Sequence, residues 1–213
     1  MGVLVMILGE SGTGKSASLR NFQPGEAGII NVAGKPLPFR NKLKTFDSDN
    51  YQKISAVLAR CSEKGAKTLI IDDAQYLMAD EYMRRAYETG YQKYTEIGKN
   101  YFDLLSLARN LPADRIVYFL SHISTDDQGK EKCKTIGKLL DEKITIEGLF
   151  TIVLKTRVQD GVYQFCTQNS GMDTVKSPIG MFNSPYIDND LKAVDTAIRE
   201  YYGLEDIQNG KSE

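Results

Sequence analysis

The sequence predicts an α/β fold: a mostly parallel sheet flanked by helices, with an antiparallel hairpin near the C-terminal end. Three observations lead there. The apolar runs at residues 3–8, 68–71 and 115–120 are continuous and of strand length, which suits parallel strands buried on both faces. Segments with helical spacing of apolar residues stand between them. Finally, Gln159-Asp160-Gly161 separates two β-favouring runs at residues 149–158 and 162–167, a strong hairpin signal.

The elements follow in order. Residues 3–8 form the first strand, residues 9–16 a glycine-rich turn, and residues 17–22 the start of a helix. Residues 28–33 read as a second strand. Residues 34–46 carry two prolines and several basic residues, so they read as a loop or short irregular strand. Ile54, Val57, Leu58 and Cys61 give residues 50–63 a helical period, and Gly65 ends that helix. Residues 68–73 are a strand running into two carboxylates. Residues 75–110 are mainly helical and rich in tyrosine, with breaks expected at Gly90 and Gly98. The strand at 115–120 ends at Ser121-His122, and residues 126–138 read as a polar, basic, flexible loop. A last amphipathic helix is capped by Asp188 or Asn189, runs through Tyr202 and ends at Gly203. One domain is expected over residues 1–205, with a polar C-terminal tail at 206–213.

Composition narrows the classes of function. The 213 residues suffice for one α/β domain with a sizeable core. The net charge of −1 argues against a globally basic nucleic-acid binder, though not against a local basic strip. No apolar stretch is long enough to span a bilayer, and the first run is too short for a signal-peptide core, so a cytoplasmic location without membrane contact is expected. Cys61, Cys133 and Cys166 fit neither a zinc pattern nor a disulfide framework and read as reduced thiols. With His122 the single histidine, a histidine metal cluster is excluded.

Residues 9–16, Gly-Glu-Ser-Gly-Thr-Gly-Lys-Ser, complete the Walker A pattern G-x-x-x-x-G-K-[ST]. Gly9, Glu10, Ser11, Gly12, Thr13, Gly14, Lys15, Ser16 and Ala17 form the expected nucleotide site. The glycines free backbone N–H groups to face phosphate, Lys15 reaches the β- and γ-phosphates, and the Ser16 hydroxyl is a Mg²⁺ ligand. ATP, or GTP, with Mg²⁺ is therefore the expected ligand. Asp72 and Asp73 end the strand expected to carry Walker B. Asp72 is placed to hold Mg²⁺ through water opposite Ser16, and Asp73 to orient or deprotonate the attacking water.

Together, residues 9–16, Ile70-Ile71-Asp72-Asp73, and Phe119-Leu120-Ser121-His122 followed by a lysine-rich stretch resemble the RecA-like P-loop ATPases, specifically a small phage-encoded branch of nucleotide-binding proteins. Residues 81–86 and 94–98, the hairpin around Asp160-Gly161, and Lys176 beyond it share that likeness, which spans most of the chain. The resemblance implies a RecA-like P-loop NTPase core and an oligomeric ATPase acting on single-stranded DNA in recombination or replication. Its implied partners are further copies of the chain and a single-strand-binding or replication protein. It also implies that the stretches after the two central strands, residues 78–100 and 123–138, face DNA. Arg84, Arg85, Lys93, Lys130, Lys132, Lys134 and Lys138 are then the candidate phosphate contacts. Lys155, Arg157 and Lys176 lie where such assemblies reach a neighbour's γ-phosphate. One departure stands out. RecA-like enzymes carry a catalytic glutamate just after the second strand, whereas this chain reads Val32-Ala33-Gly34-Lys35. Asp73 or Glu10 is left as the catalytic carboxylate, or hydrolysis is slow.

His122, at a strand end beside Walker B, is a candidate γ-phosphate sensor; the alternative is an ordinary surface histidine. Tyr87, Tyr91, Tyr94 and Tyr101 share one helical face by spacing, suited to packing or to stacking on bases. Two other functions compete with a DNA-acting ATPase. One is a nucleotide switch or adaptor that binds a protein such as a helicase or packaging component. The other is a small-molecule kinase, disfavoured because no arginine-rich lid or acceptor motif is evident.

Overall fold

The computed structural model describes residues 1–40, 42–63 and 65–204. The tail expected at 206–213 lies outside the described residues. The architecture is α/β: a mixed, mostly parallel sheet between two helical layers, ending in an antiparallel hairpin.

In chain order the strands are β1 (Val3–Gly9), β2 (Ala27–Asn31), β3 (Thr45–Asp47), β4 (Thr68–Asp72), β5 (Ile116–Thr125), β6 (Glu131–Cys133), β7 (Ile152–Gln159), β8 (Val162–Cys166) and β9 (Tyr186–Asp188). The helices are α1 (Tyr51–Glu63), α2 (Tyr76–Arg84), α3 (Gln92–Arg109) and α4 (Leu191–Tyr202). Sheet order is β3-β2-β4-β5-β1-β7-β8-β9, parallel from β3 through β7 and antiparallel beyond. Thus β5 separates the strand that carries the glycine-rich turn from the strand that carries Asp72.

The continuous apolar runs are continuous because both faces are covered. Leu4, Met6 and Leu8 pack with Leu69, Ile71 and Phe119 under residues of α1, α2 and α3. Val5, Ile7, Ile70, Tyr118 and Leu120 face the other way, against Leu19, Phe22 and α4. Alternation of side chains along each strand thus feeds two cores at once. Among the described residues, no helix is long and apolar enough to cross a membrane.

Several local expectations change. The helix after the glycine-rich turn is a short 3-10 segment, Ser16–Asn21, with Phe22 extended at ψ 142°. Pro24 and Gly25 follow at once, and proline disfavours helix in the residue before it. Gly90, at φ 89°, marks a break between helices, whereas Gly98 lies inside α3. A Cβ on Gly98 would sit 3.2 Å from Leu139 Cδ2, so this glycine admits a close neighbour. The supposed tyrosine stripe dissolves. Tyr101 is buried against Phe119, Tyr94 packs on Tyr82, and Tyr87 and Tyr91 stand exposed on the turn between α2 and α3. The cap of α4 is Asp190, whose carboxylate accepts from the N–H groups of Lys192 and Ala193.

The largest correction concerns residues 126–138, expected to be a flexible loop. β5 runs on through Thr125 and pairs antiparallel with β6, matching Ile123 with Cys133, Ser124 with Lys132 and Thr125 with Glu131. Asp126 makes the turn possible. Its carboxylate accepts from Gln128 N and Lys130 N, and Gly129 takes φ 81°. The result is a hairpin arm rooted at His122, whose carbonyl accepts from Lys134 N.

Candidate functional site

The glycine-rich turn leaves the carboxyl end of β1, where ligands bind in open α/β sheets. Gly12 and Gly14 hold φ of 80° and 99°, which L side chains rarely adopt. The turn is tied down on the β7 side: Thr13 Oγ1 and Thr156 Oγ1 lie 2.6 Å apart, and Thr156 Oγ1 also donates to Leu8 O. Nothing in the motif pointed to Thr156, which is recruited by the pairing of β1 with β7.

Lys15 is 6% exposed and folded under the turn, its ammonium donating to Gly9 O at 2.9 Å and Glu10 O at 2.8 Å. Burial pulls its pKa down to about 8, against the attraction of Asp73 and Asp72. The Ser16 hydroxyl donates to Asp72 Oδ1 at 3.0 Å, bringing the ends of the two motifs together. Asp72 is 3% exposed; burial and then the adjacent Asp73 carboxylate push its pKa up to about 6. A hard cation with oxygen ligands and water fits this pair. Among the described residues, no group of three or more His, Cys, Asp or Glu gathers to hold a metal unaided. A Mg²⁺ ion here would therefore take its remaining ligands from phosphate and water.

Asp73 directly follows β4 in a left-handed conformation, φ 57°, which aspartate tolerates better than most residues. Its side chain is buried between two groups. Oδ2 lies 2.6 Å from Lys35 Nζ, and Oδ1 lies 3.6 Å from His122 Nε2. His122 sits on β5 in register with Gly9 of β1 and packs edge-on against Tyr76. Burial, followed by the Lys15 ammonium, lowers its pKa against the pull of Asp73, which favours the neutral imidazole.

These groups surround one cavity of about 400 Å³. Ser11, Gly12, Gly14, Lys15, Ser16 and Ala17 form one wall, and Asp72, Asp73 and His122 its polar end. Pro36, Leu37, Pro38 and Tyr163 add an apolar rim. Gly9 ends β1, and Glu10 and Thr13 face a neighbouring groove that they share with Lys155 and Arg157. Sequence reasoning missed Lys35 as a site residue. The available signal was its position, where the resemblance expects a carboxylate.

The remaining candidates divide by their partners. Arg84 pairs with Asp49, and Arg85 binds Glu81, Glu88 and Glu96. Lys93 is buried, donating to the carbonyls of Arg85, Ala86 and Glu88 beyond the end of α2. Arg85 and Lys93 serve the turn between α2 and α3, whereas Arg84 ties the end of α2 to the segment before α1. On the arm, Lys132 pairs with Asp141 at 2.7 Å; beyond the arm, Lys138 reaches Glu142 at 3.6 Å. Lys130 and Lys134 are exposed. Lys155 lies between Glu131 and Asp173, Arg157 stacks 4.1 Å above the Tyr186 ring, and exposed Lys176 bridges to Val153 through its backbone. Cys61, Cys133 and Cys166 are free thiols.

Neither a protein-family model nor a curated protein sequence matches the chain.

Proposed function

We propose that this chain is a RecA-like P-loop protein that binds ATP with Mg²⁺, hydrolyses it slowly, and acts on single-stranded DNA in recombination or replication. One observation carries the nucleotide reading: Lys15, Ser16, Asp72 and Asp73, brought from two separate strands, meet at one cavity beneath a glycine-rich turn. In that reading the turn's N–H groups and Lys15 hold the phosphates, while Ser16 and Asp72 hold the metal. Bound Mg²⁺ would neutralise charge on the phosphates. Asp73 orients the attacking water, and His122 senses the terminal phosphate beside it. Slow turnover is argued from the stretch after β2, which reads Val32-Ala33-Gly34-Lys35 where the resemblance expects a catalytic carboxylate.

The DNA reading rests on the arm of β5 and β6. It is rooted at His122 and carries exposed Lys130 and Lys134, beside Asp126 and exposed Asp127, so the proposed phosphate sensor and the candidate DNA contacts share one hairpin. A second reading is favoured by the internal pairing of Arg84, Arg85, Lys93, Lys132 and Lys155: a nucleotide switch that binds a protein partner. Fluorescence anisotropy of a labelled oligonucleotide, titrated with and without ATP and Mg²⁺, separates the two. Salt-sensitive binding that strengthens with ATP is the expected result. Absence of DNA binding in both conditions favours the partner-binding switch.

A further inference from the structure

Lys35 lines the same cavity as Lys15, opposite the glycine-rich turn. Its ammonium lies 2.6 Å from Asp73, and its side chain is 62% exposed against 5% for the carboxylate. Its backbone is fixed: Gly34 turns the chain at φ 61°, and the buried Asn31 carboxamide donates to Lys35 O at 2.7 Å. The side chain is the exposed partner of the ion pair, with the Tyr76 ring beside it at 5.7 Å, so it can change partner without the backbone moving. Two ammonium groups and two carboxylates line the cavity, with Lys35 paired to Asp73 and Lys15 donating to the carbonyls of Gly9 and Glu10. A triphosphate with its metal adds negative charge at the far end, whereas a diphosphate does not reach as far.

Building on the nucleotide reading above, we propose that Lys35 is the residue that distinguishes nucleoside triphosphate from diphosphate. The terminal phosphate draws its ammonium off Asp73. Lys35 then holds that phosphate, and Asp73 is released toward His122 and the water it orients. The place that a catalytic carboxylate would fill is thus taken by a cation that keeps Asp73 neutralised until the triphosphate is present.

The test compares binding of ADP and of a non-hydrolysable ATP analogue, each with Mg²⁺, by isothermal titration calorimetry. Lys35→Met should weaken the ATP analogue about tenfold or more, the scale of one charge-assisted hydrogen bond, and leave ADP unchanged. Asp73→Asn should do the opposite and tighten the analogue selectively, because Lys35 no longer has to leave a carboxylate. Far-ultraviolet circular dichroism and a thermal melt matching the unsubstituted protein report that each variant remains folded, and the ratio of the two affinities is the readout. A parental ratio of the two affinities in Lys35→Met overturns the proposal. Failure of the unsubstituted protein to bind either nucleotide overturns the nucleotide reading itself, and this role of Lys35 with it.

Discussion

Asp72 and Lys15 are charges that the fold holds at a cost. Asp72 has its pKa raised by burial to about 6, so the native state binds a proton there more tightly than the unfolded chain does. The penalty of ionising it is fully present above pH 6 and disappears as pH falls toward 4. Asp72→Asn should therefore stabilise the nucleotide-free protein at pH 7 by on the order of 2 kcal/mol, with the gain shrinking through that window. Chemical denaturation at pH 7 and pH 4.5 checks this. The same substitution should abolish Mg²⁺-dependent nucleotide binding, the signature of a residue kept for function. Gly14 is the second test at this scale. A Cβ there would meet Tyr163 Cδ1 at 2.9 Å, on a backbone already at φ 99°. Gly14→Ala should lower stability by about 1–3 kcal/mol in thermal melts and close the phosphate cradle.

At the scale of elements, the arm and α3 repay attention. Lys132 is held by Asp141, so Lys130 and Lys134 are the arm's accessible cations. Replacing both with Ala should reduce the salt slope of single-stranded DNA binding by about 1.4, taking about 0.7 per phosphate contact. A parental slope in anisotropy titrations would make the arm a structural feature only. In α3, Gly98→Ala gains about 1 kcal/mol of helix propensity and loses a similar amount to crowding against Leu139. It should be near neutral, whereas Gly98→Val should lower stability by about 2 kcal/mol in denaturant titrations. These same elements show what the sequence made legible. The buried strands, the glycine-rich turn, Asp72 and the Asp160-Gly161 hairpin were readable because each has a local cause: a continuous apolar run, a fixed spacing, two residues at positive φ. The arm was not, because its turn depends on a single aspartate within an otherwise loop-like composition. Gly98 misled because a close-contact glycine and a helix-breaking glycine look the same in one dimension. Thr156 was invisible as a site residue because only the sheet order brings β7 beside the turn, whereas Lys35 had a signal in its position after β2.

For the whole molecule, the resemblance leads to an assembly in which Lys155, Arg157 and Lys176 serve a neighbour's nucleotide. Lys155 is held by Glu131 and Asp173, which leaves Arg157 and Lys176 as the stronger candidates. Light scattering should show self-association that requires ATP analogue and DNA, weakened by replacing Arg157 and Lys176 with Ala. A monomer under all conditions would remove the trans-acting role. The proposed roles of Lys35 and of the arm both depend on phosphate entering the cavity beneath residues 9–16. The most direct measurement is calorimetric titration of Mg²⁺ and an ATP analogue into the unsubstituted protein and into Lys15→Ala. One site per chain is expected in the first and loss of binding in the second, with the far-ultraviolet circular dichroism of both alike. Equal affinity in the two proteins, or no binding in either, would contradict the assignment of this chain as a nucleotide-binding protein.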